Sequence, residues 1–491
     1  MKTNILTWAL PIIISILFFS CLSLKIHAQT EQVDTLIRRE MQERRIPGIQ
    51  LAVVQHGKIV LLRSYGIANV EDSVPVTNQS IFSINSCTKS FTGVAIMQLV
   101  EEGKVQLSAP VSRYLDSLPA AWQPVTIRQL LTHISGLPDI NRVLVETTGS
   151  ARDTLLEKET WAKVRALPMD FPTGEQFSYN QTNYALLGQI INKFRGKYFT
   201  EVFRERQFEM AGMTNTGFGD SHDVIPHNVP TYRWTRYKDG QSLDKDQLVT
   251  NFEEFLPFRR SASGMKSTAE DIARWIIALQ QGRTLRTKAA LDTLWTAGSY
   301  NNGKPTQWAL GCVYKPRPNH PAVEMTGGGR AVYCVYPKDE LALVILTNLG
   351  GGFPEEFLDE LAGCFDPAIP ASDPVTTLKI QLRKRGFDHA IDVFNDEKKK
   401  NSNFQPSEDD LNDWAYRMLS IGQKKEALEI FKLNVFLYPQ SWNVYDSYGE
   451  ALLKNGRKEE AIKMYQKSVE INPENNNGKK ALERLLKDSS K

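Results

Sequence analysis

Phe82-Ser83-Ile84-Asn85-Ser86-Cys87-Thr88-Lys89-Ser90-Phe91 leads into a run, Phe91–Val100, that is apolar on nearly every side and stops at Gly103. A helix hydrophobic all round belongs inside a large domain, so the stretch predicts a buried helix opened by Ser86. The Ser-x-x-Lys spacing places Lys89 one turn beyond Ser86 on the same face, where its amine can take the hydroxyl proton. The chain holds two further copies of this spacing, Ser242/Lys245 in a polar, Asp-rich stretch and Ser263/Lys266 in a loop before a helix. Only Ser86 opens an apolar helix, whose N-terminal dipole and free N–H groups favour an oxyanion. The plain alternative is a helix-start serine with an incidental lysine.

Outward from this helix, both ends of the surrounding region read as strands. Gln50–Gln55 and Ile59–Tyr65 flank His56-Gly57-Lys58 as a hairpin, and Ala331–Tyr336 and Leu341–Thr347 repeat the pattern around 337–340. Ile127–Leu131 and Tyr184–Phe194 read as helices, and Thr268-Ala269-Glu270-Asp271 opens another that runs towards Gln281. Strands at both ends with helices between predict an α+β domain over 29–368, its sheet assembled from the two ends. Cys312 and Cys334 lie in strand-like runs, Trp308–Tyr314 and Ala331–Tyr336; they either pair or remain buried thiols.

The full chain of 491 residues exceeds one domain, and its composition is that of a globular protein rather than a disordered or multi-span membrane chain. A balance of 59 basic and 56 acidic residues carries no basic stripe, which argues against a nucleic-acid partner. Five Cys without Cys-x-x-Cys spacing argue against a disulfide scaffold or a zinc site. His222, His227 and His320 fall in loop-like sequence without metal spacing. Residues 1–28 have a short basic start, an uncharged run from Ile5 to Leu24, and Ala28 before Gln29. This reads as a cleaved secretory signal, an uncleaved anchor, or a lipid-attachment segment at Cys21. Each reading places the remainder outside the cytoplasm, periplasmic or extracellular, and a membrane contact follows only where the segment is retained.

Past about residue 405 the pattern changes. Gly422, Ala427, Phe431 and Pro439 recur 34 residues later as Gly456, Ala461, Tyr465 and Pro473. A 34-residue period with small, aromatic and proline positions in this order resembles the tetratricopeptide repeat. Asn477–Leu486 is expected to cap the stack, and Gly386, Ala390 and Phe394 mark a degenerate helix pair within a linker over 369–404. Pro367, Pro370 and Pro374 mark the joint. The repeats over 405–491 are read either as a groove for a protein partner or as a stabilising appendage.

The nucleophile segment, together with 126–138, 177–188 and 263–271, resembles the serine β-lactamase and penicillin-binding protein family, in particular its branch of class C β-lactamases, DD-carboxypeptidases and esterases. The resemblance covers roughly 35–350 and implies an antiparallel sheet with a helical subdomain. It implies Ser86 as the nucleophile that forms an acyl-enzyme, Lys89 as its proton acceptor and Tyr179 as the proton shuttle of a Tyr-x-Asn motif. Gln181 stands where that motif has Asn. The third motif, Lys-Thr-Gly or His-x-Gly in the family, is matched by Met325-Thr326-Gly327, and Gln181, Met325, Thr326 and Gly327 are the implied substrate-binding residues. Met carries no charge, which leaves Arg330 or Lys266 to compensate for it. The resemblance assigns the oxyanion hole to the N–H groups of Ser86 and Gly328.

His133 belongs to a structural turn in that family and is expected to be structural here; the chain has no Gly-x-Ser-x-Gly elbow. The glycine run at 327–329 lacks the Gly-x-Gly-x-x-Gly of a phosphate cradle. The expected activity is that of an exported serine hydrolase needing no metal or organic cofactor. Its substrate is a peptidoglycan D-Ala peptide, a β-lactam, or a small ester or amide. The competing expectation is a catalytically weak, penicillin-recognising binding protein that works through its repeats.

Overall fold

The computed structural model describes residues 28–144, 154–238 and 241–487. The export or anchor segment, Cys21 included, lies outside the described residues. No described helix is long and apolar enough to cross a membrane. The chain forms two compact units, one spanning Arg45–Leu358 and one combining the segment through Arg44 with Asp359 onward.

The first unit is built on a seven-stranded sheet. Its order runs from Val74–Pro75 through Lys58–Asn69, Gly48–Gln55, Leu341–Thr347, Ala331–Tyr336 and Ala322–Gly327 to Val313–Lys315, with every pairing antiparallel. The two chain ends meet where Ile49 faces Thr347 and Val53 faces Leu343, so the sheet closes across nearly 300 residues of sequence. Gly48–Gln55 and Leu341–Thr347 are apolar and buried along almost their whole length, as central strands covered on both faces must be. The amphipathic helix Ala269–Gln280 packs on them, capped by Thr268, whose hydroxyl accepts from the Asp271 N–H.

The expected helix around Phe91–Val100 spans Thr88–Glu101 and is buried from Thr88 through Leu99. It ends where Gly103 takes φ +70°, a conformation glycine enters without strain. The strand-like run Trp308–Tyr314 becomes strand only at Val313–Lys315. Gly311 interrupts it at φ +107°, and a Cβ there would lie 2.8 Å from the Lys89 carbonyl, so the chain bends to fit against the nucleophile helix. Cys87, Cys312 and Cys334 are buried, and among the described residues no disulfide forms.

In the second unit, helices Glu408–Ser420 and Lys424–Leu437, then Trp442–Lys454 and Lys458–Ile471, form two successive pairs, and Asn476–Lys487 closes the stack. Ala427 and Ala461 are fully buried in the seams, and the Tyr465 ring lies 3.3 Å from where a Cβ on Gly449 would stand. Helices Pro374–Arg385 and Ala390–Lys400 form the degenerate pair upstream, with Pro374 at a first-turn position that needs no N–H donor. Glu40 has no exposure and meets Arg39, Arg44 and Arg383, and the pair with Arg383 ties the N-terminal segment to helix Pro374–Arg385.

Candidate active site

Two helix starts converge on Ser86. The first is the nucleophile helix. The second, Gln181–Arg195, is capped by Asn180, whose side chain accepts from the Asn183 N–H, so Tyr179 stands just before the cap and Gln181 is the first helical residue. Ser86 follows the strand Phe82–Asn85, and Asn85 takes φ +44°, a left-handed conformation that Asn tolerates better than most residues.

The hydroxyl of Ser86 is held from both sides. Tyr179 donates its O–H to Ser86 Oγ at 2.8 Å, and Lys89 Nζ lies 3.3 Å from the same oxygen. Lys89 Nζ also reaches the Ala262 carbonyl at 2.8 Å and Gln181 Oε1 at 3.0 Å. A neutral amine has two hydrogens and one lone pair. The two oxygens take the hydrogens, which leaves the lone pair towards the Ser86 O–H.

Lys89 is shifted towards that neutral form. Burial drives its pKa well below the ordinary lysine value, and the Arg259 guanidinium pushes the same way, against the opposing pull of Asp139. The Tyr179 and Tyr184 rings, 4.5 and 5.3 Å from Nζ, favour the ammonium, but a fully buried side chain makes desolvation the larger effect. Tyr179 is shifted the other way: burial of its hydroxyl raises its pKa, so it stays a phenol, although the ring is 36% exposed. Of the pair, Lys89 is the group suited to accept a proton and Tyr179 the one suited to donate it.

The strand Ala322–Gly327 runs beside the nucleophile. A Cβ on Gly327 would lie 2.0 Å from the Ile84 carbonyl oxygen and 3.2 Å from Ser86 N, so only glycine fits there. Gly328 follows at φ +58°. Among the described residues, neither the Ser86 nor the Gly328 N–H donates to another protein group. Two unspent donors beside a nucleophile suit a developing oxyanion. Thr326 is part-exposed, whereas Met325 is 1% exposed and packs in the core, its carbonyl accepting from Cys87 Sγ. The Met325 side chain thus offers substrate no surface, a departure from the expectation that it binds substrate. Of the two cations expected to compensate, Arg330 pairs with Glu253 at 2.8 Å, and Lys266 Nζ donates to Asn228 Oδ1 at 2.8 Å.

His133 is buried behind Tyr179, the two rings 4.5 Å apart. Its Nδ1 accepts from the Asn180 N–H at 3.0 Å, and burial lowers its pKa well below the usual range, so the ring is neutral and supports the tyrosine. Its Nε2 has no partner, so the ring is satisfied on one side only. Trp308 lies against both Tyr179 and His133, and Phe177, 43% exposed, packs on Trp308, which gives the mouth an aromatic wall.

Asp139, Arg259 and Glu253 were not singled out from sequence. Asp139 directly follows the 126–138 segment and accepts the Gln181 N–H at 3.1 Å; Arg259 ends the short 3-10 helix Pro257–Arg259 and Glu253 lies in an irregular loop, neither carrying a motif.

A serine, a buried lysine and a tyrosine brought together beside such a sheet are the arrangement of a serine-hydrolase fold. The β-lactamase family model matches residues 33–363, and a tetratricopeptide model matches 442–475. The chain belongs to the β-lactamase family. It is 25% identical over 338 residues to protein flp of Staphylococcus aureus (strain NCTC 8325 / PS 47), covering 67% of this chain and 65% of flp, so it spans about two thirds of that relative's length. It is 26% identical over 365 residues to a β-lactamase of Escherichia coli (strain K12), covering 65% of this chain and 90% of that one. The octameric penicillin-binding protein homologue of Pyrococcus abyssi superposes with TM-score 0.59 at 25% identity, covering 72% of this chain and 81% of that one.

Proposed function

We propose that the chain is an exported serine acyl hydrolase that acts on a small, neutral ester or amide through an acyl-enzyme on Ser86. The observation that carries this reading is the Ser86 hydroxyl placed between Tyr179 at 2.8 Å and a fully buried lysine, its pKa lowered by that burial, at 3.3 Å. Lys89 takes the hydroxyl proton as Ser86 attacks the carbonyl, and the Ser86 and Gly328 N–H groups receive the oxyanion. Tyr179 passes a proton to the leaving group, and water then releases the acyl group by the reverse relay.

Charge supports a neutral substrate over a carboxylate-bearing D-Ala peptide or β-lactam. The third-motif position is a buried Met325, and the nearby cations Arg330 and Lys266 are already engaged. The aromatic wall of Phe177 and Trp308 suits an apolar acyl or leaving group. Export rests on the pattern of residues 1–28, and a protein partner for the repeats on their 34-residue period.

The test treats the purified protein with a fluorescent fluorophosphonate and, separately, a fluorescent penicillin, beside Ser86→Ala. Labelling of wild type by the fluorophosphonate, weak labelling by penicillin and none of the variant are expected. Strong penicillin labelling contradicts the neutral-substrate reading. Labelling by neither probe contradicts acyl transfer and leaves a binding protein.

A further inference from the structure

Ser86 N and Gly328 N belong to separate segments, and a working oxyanion hole needs both held at one spacing. Each follows or forms part of a left-handed turn, with φ +44° at Asn85 and +58° at Gly328. At Asn85 such backbone persists only where neighbouring groups over-determine it, and at Gly328 glycine enters it without strain but needs neighbours to hold it in one conformation.

One carboxylate reaches both. Glu253 Oε1 accepts from Asn85 Nδ2 at 3.0 Å, while Asn85 Oδ1 accepts from Ser83 Oγ at 2.7 Å, so the Asn85 side chain is fixed at both ends. Glu253 Oε2 pairs with Arg330 Nη1 at 2.8 Å, and Arg330 Nε reaches back to the Gly328 carbonyl at 3.4 Å. The Arg330 N–H donates to the Gly327 carbonyl at 3.0 Å, and its own carbonyl accepts from Thr347 N, which anchors the turn to the sheet. The side chains of Arg330 and Glu253 are 6% and 13% exposed, so their attraction is little screened by water. Glu253 is itself placed by the Thr231 hydroxyl at 3.4 Å and by a backbone bond to Ser221 Oγ at 2.9 Å.

We propose that Glu253 is a positioning residue that, through Asn85 on one side and Arg330 on the other, sets the spacing of the two oxyanion-hole N–H groups. It touches no reacting atom. The proposal rests on the acyl-transfer reading of Ser86 and extends it to a loop that carries no recognised motif.

The test compares Glu253→Gln, Glu253→Ala and Arg330→Lys with wild type, using kcat and KM on a p-nitrophenyl ester and hydrogen exchange over 83–88 and 325–331. Gln keeps an oxygen for Asn85 but turns an N–H towards Arg330, and Arg330→Lys keeps the charge while losing the bond to Gly328. Expected are a kcat lower by about 10²-fold in Glu253→Ala, smaller losses in the two conservative variants, KM nearly unchanged, and faster exchange confined to those two segments. A loss in KM alone, a uniform rise in exchange across the first unit, or no change in either readout overturns the clamp. An inactive wild type refutes acyl transfer instead, and the exchange pattern then decides the clamp by itself.

Discussion

Gly327→Ala tests the closest approach in the site. The added Cβ would stand 2.0 Å from the Ile84 carbonyl oxygen, whereas real Cβ atoms keep at least 3.0 Å, so the two segments must part by about 1 Å. The strand carrying Gly327 cannot yield easily, because it is hydrogen-bonded to Val313–Lys315 on one side and Ala331–Tyr336 on the other. The displacement therefore falls on the turn between Ile84 and Ser86. A 1 Å shift of a reacting group lowers the rate by about 10²-fold, equivalent to about 2.7 kcal/mol of barrier, and the overpacking lowers stability by about 1–3 kcal/mol. Gly217→Ala is the control, since a Cβ there meets nothing within 4 Å and the residue has no left-handed backbone. The assay pairs the second-order rate of fluorophosphonate labelling with urea denaturation, so that the folded fraction is known. A Gly327→Ala protein that labels as fast as Gly217→Ala refutes the placement of this strand beside the nucleophile.

Three further outcomes follow from the same geometry. Activity needs neutral Lys89, so kcat/KM rises with pH on a limb below the ordinary lysine range. Arg259→Met moves that limb to higher pH by removing a cation that disfavours the ammonium, and Asp139→Asn moves it lower; a pH–rate profile checks both signs. Met325→Lys, which restores the family residue, places an ammonium at a 1% exposed core position; denaturant midpoints should show a loss of about 3–5 kcal/mol with no gain in penicillin labelling. Burial pushes the Glu40 carboxyl up, but Arg44, Arg383 and Arg39 together hold it below its ordinary value. Its stabilising effect is thus present above the unfolded carboxylate pKa and lost as pH falls through the lower folded one. Glu40→Gln should flatten the acid limb of the stability–pH curve, read by thermal unfolding.

The parts of this protein legible in its sequence are those whose signal is local. The Ser86–Lys89 spacing spans one helical turn, the Tyr179–Gln181 pair spans one helix start, and each 34-residue period spans one helix pair. The ends of the sheet were legible too, because strands flanking short turns announce themselves by pattern. Glu253 was not, because its partners are distant: Asn85 lies 168 residues away, and nothing near Glu253 in sequence records that contact. Met325 shows the opposite difficulty. Its alignment with a substrate-binding lysine is clear, but strand alternation turns residues 323, 325 and 327 to one face, where methionine fills core and glycine admits the nucleophile turn.

The most direct measurement is a rapid acid quench of the protein during turnover of p-nitrophenyl acetate, followed by peptide mapping. A burst of p-nitrophenol and an acetyl group on Ser86 are expected, both absent from Ser86→Ala. Steady release without a burst or adduct in wild type, or an acetyl group on another residue with Ser86→Ala still active, would contradict an acyl-enzyme on Ser86.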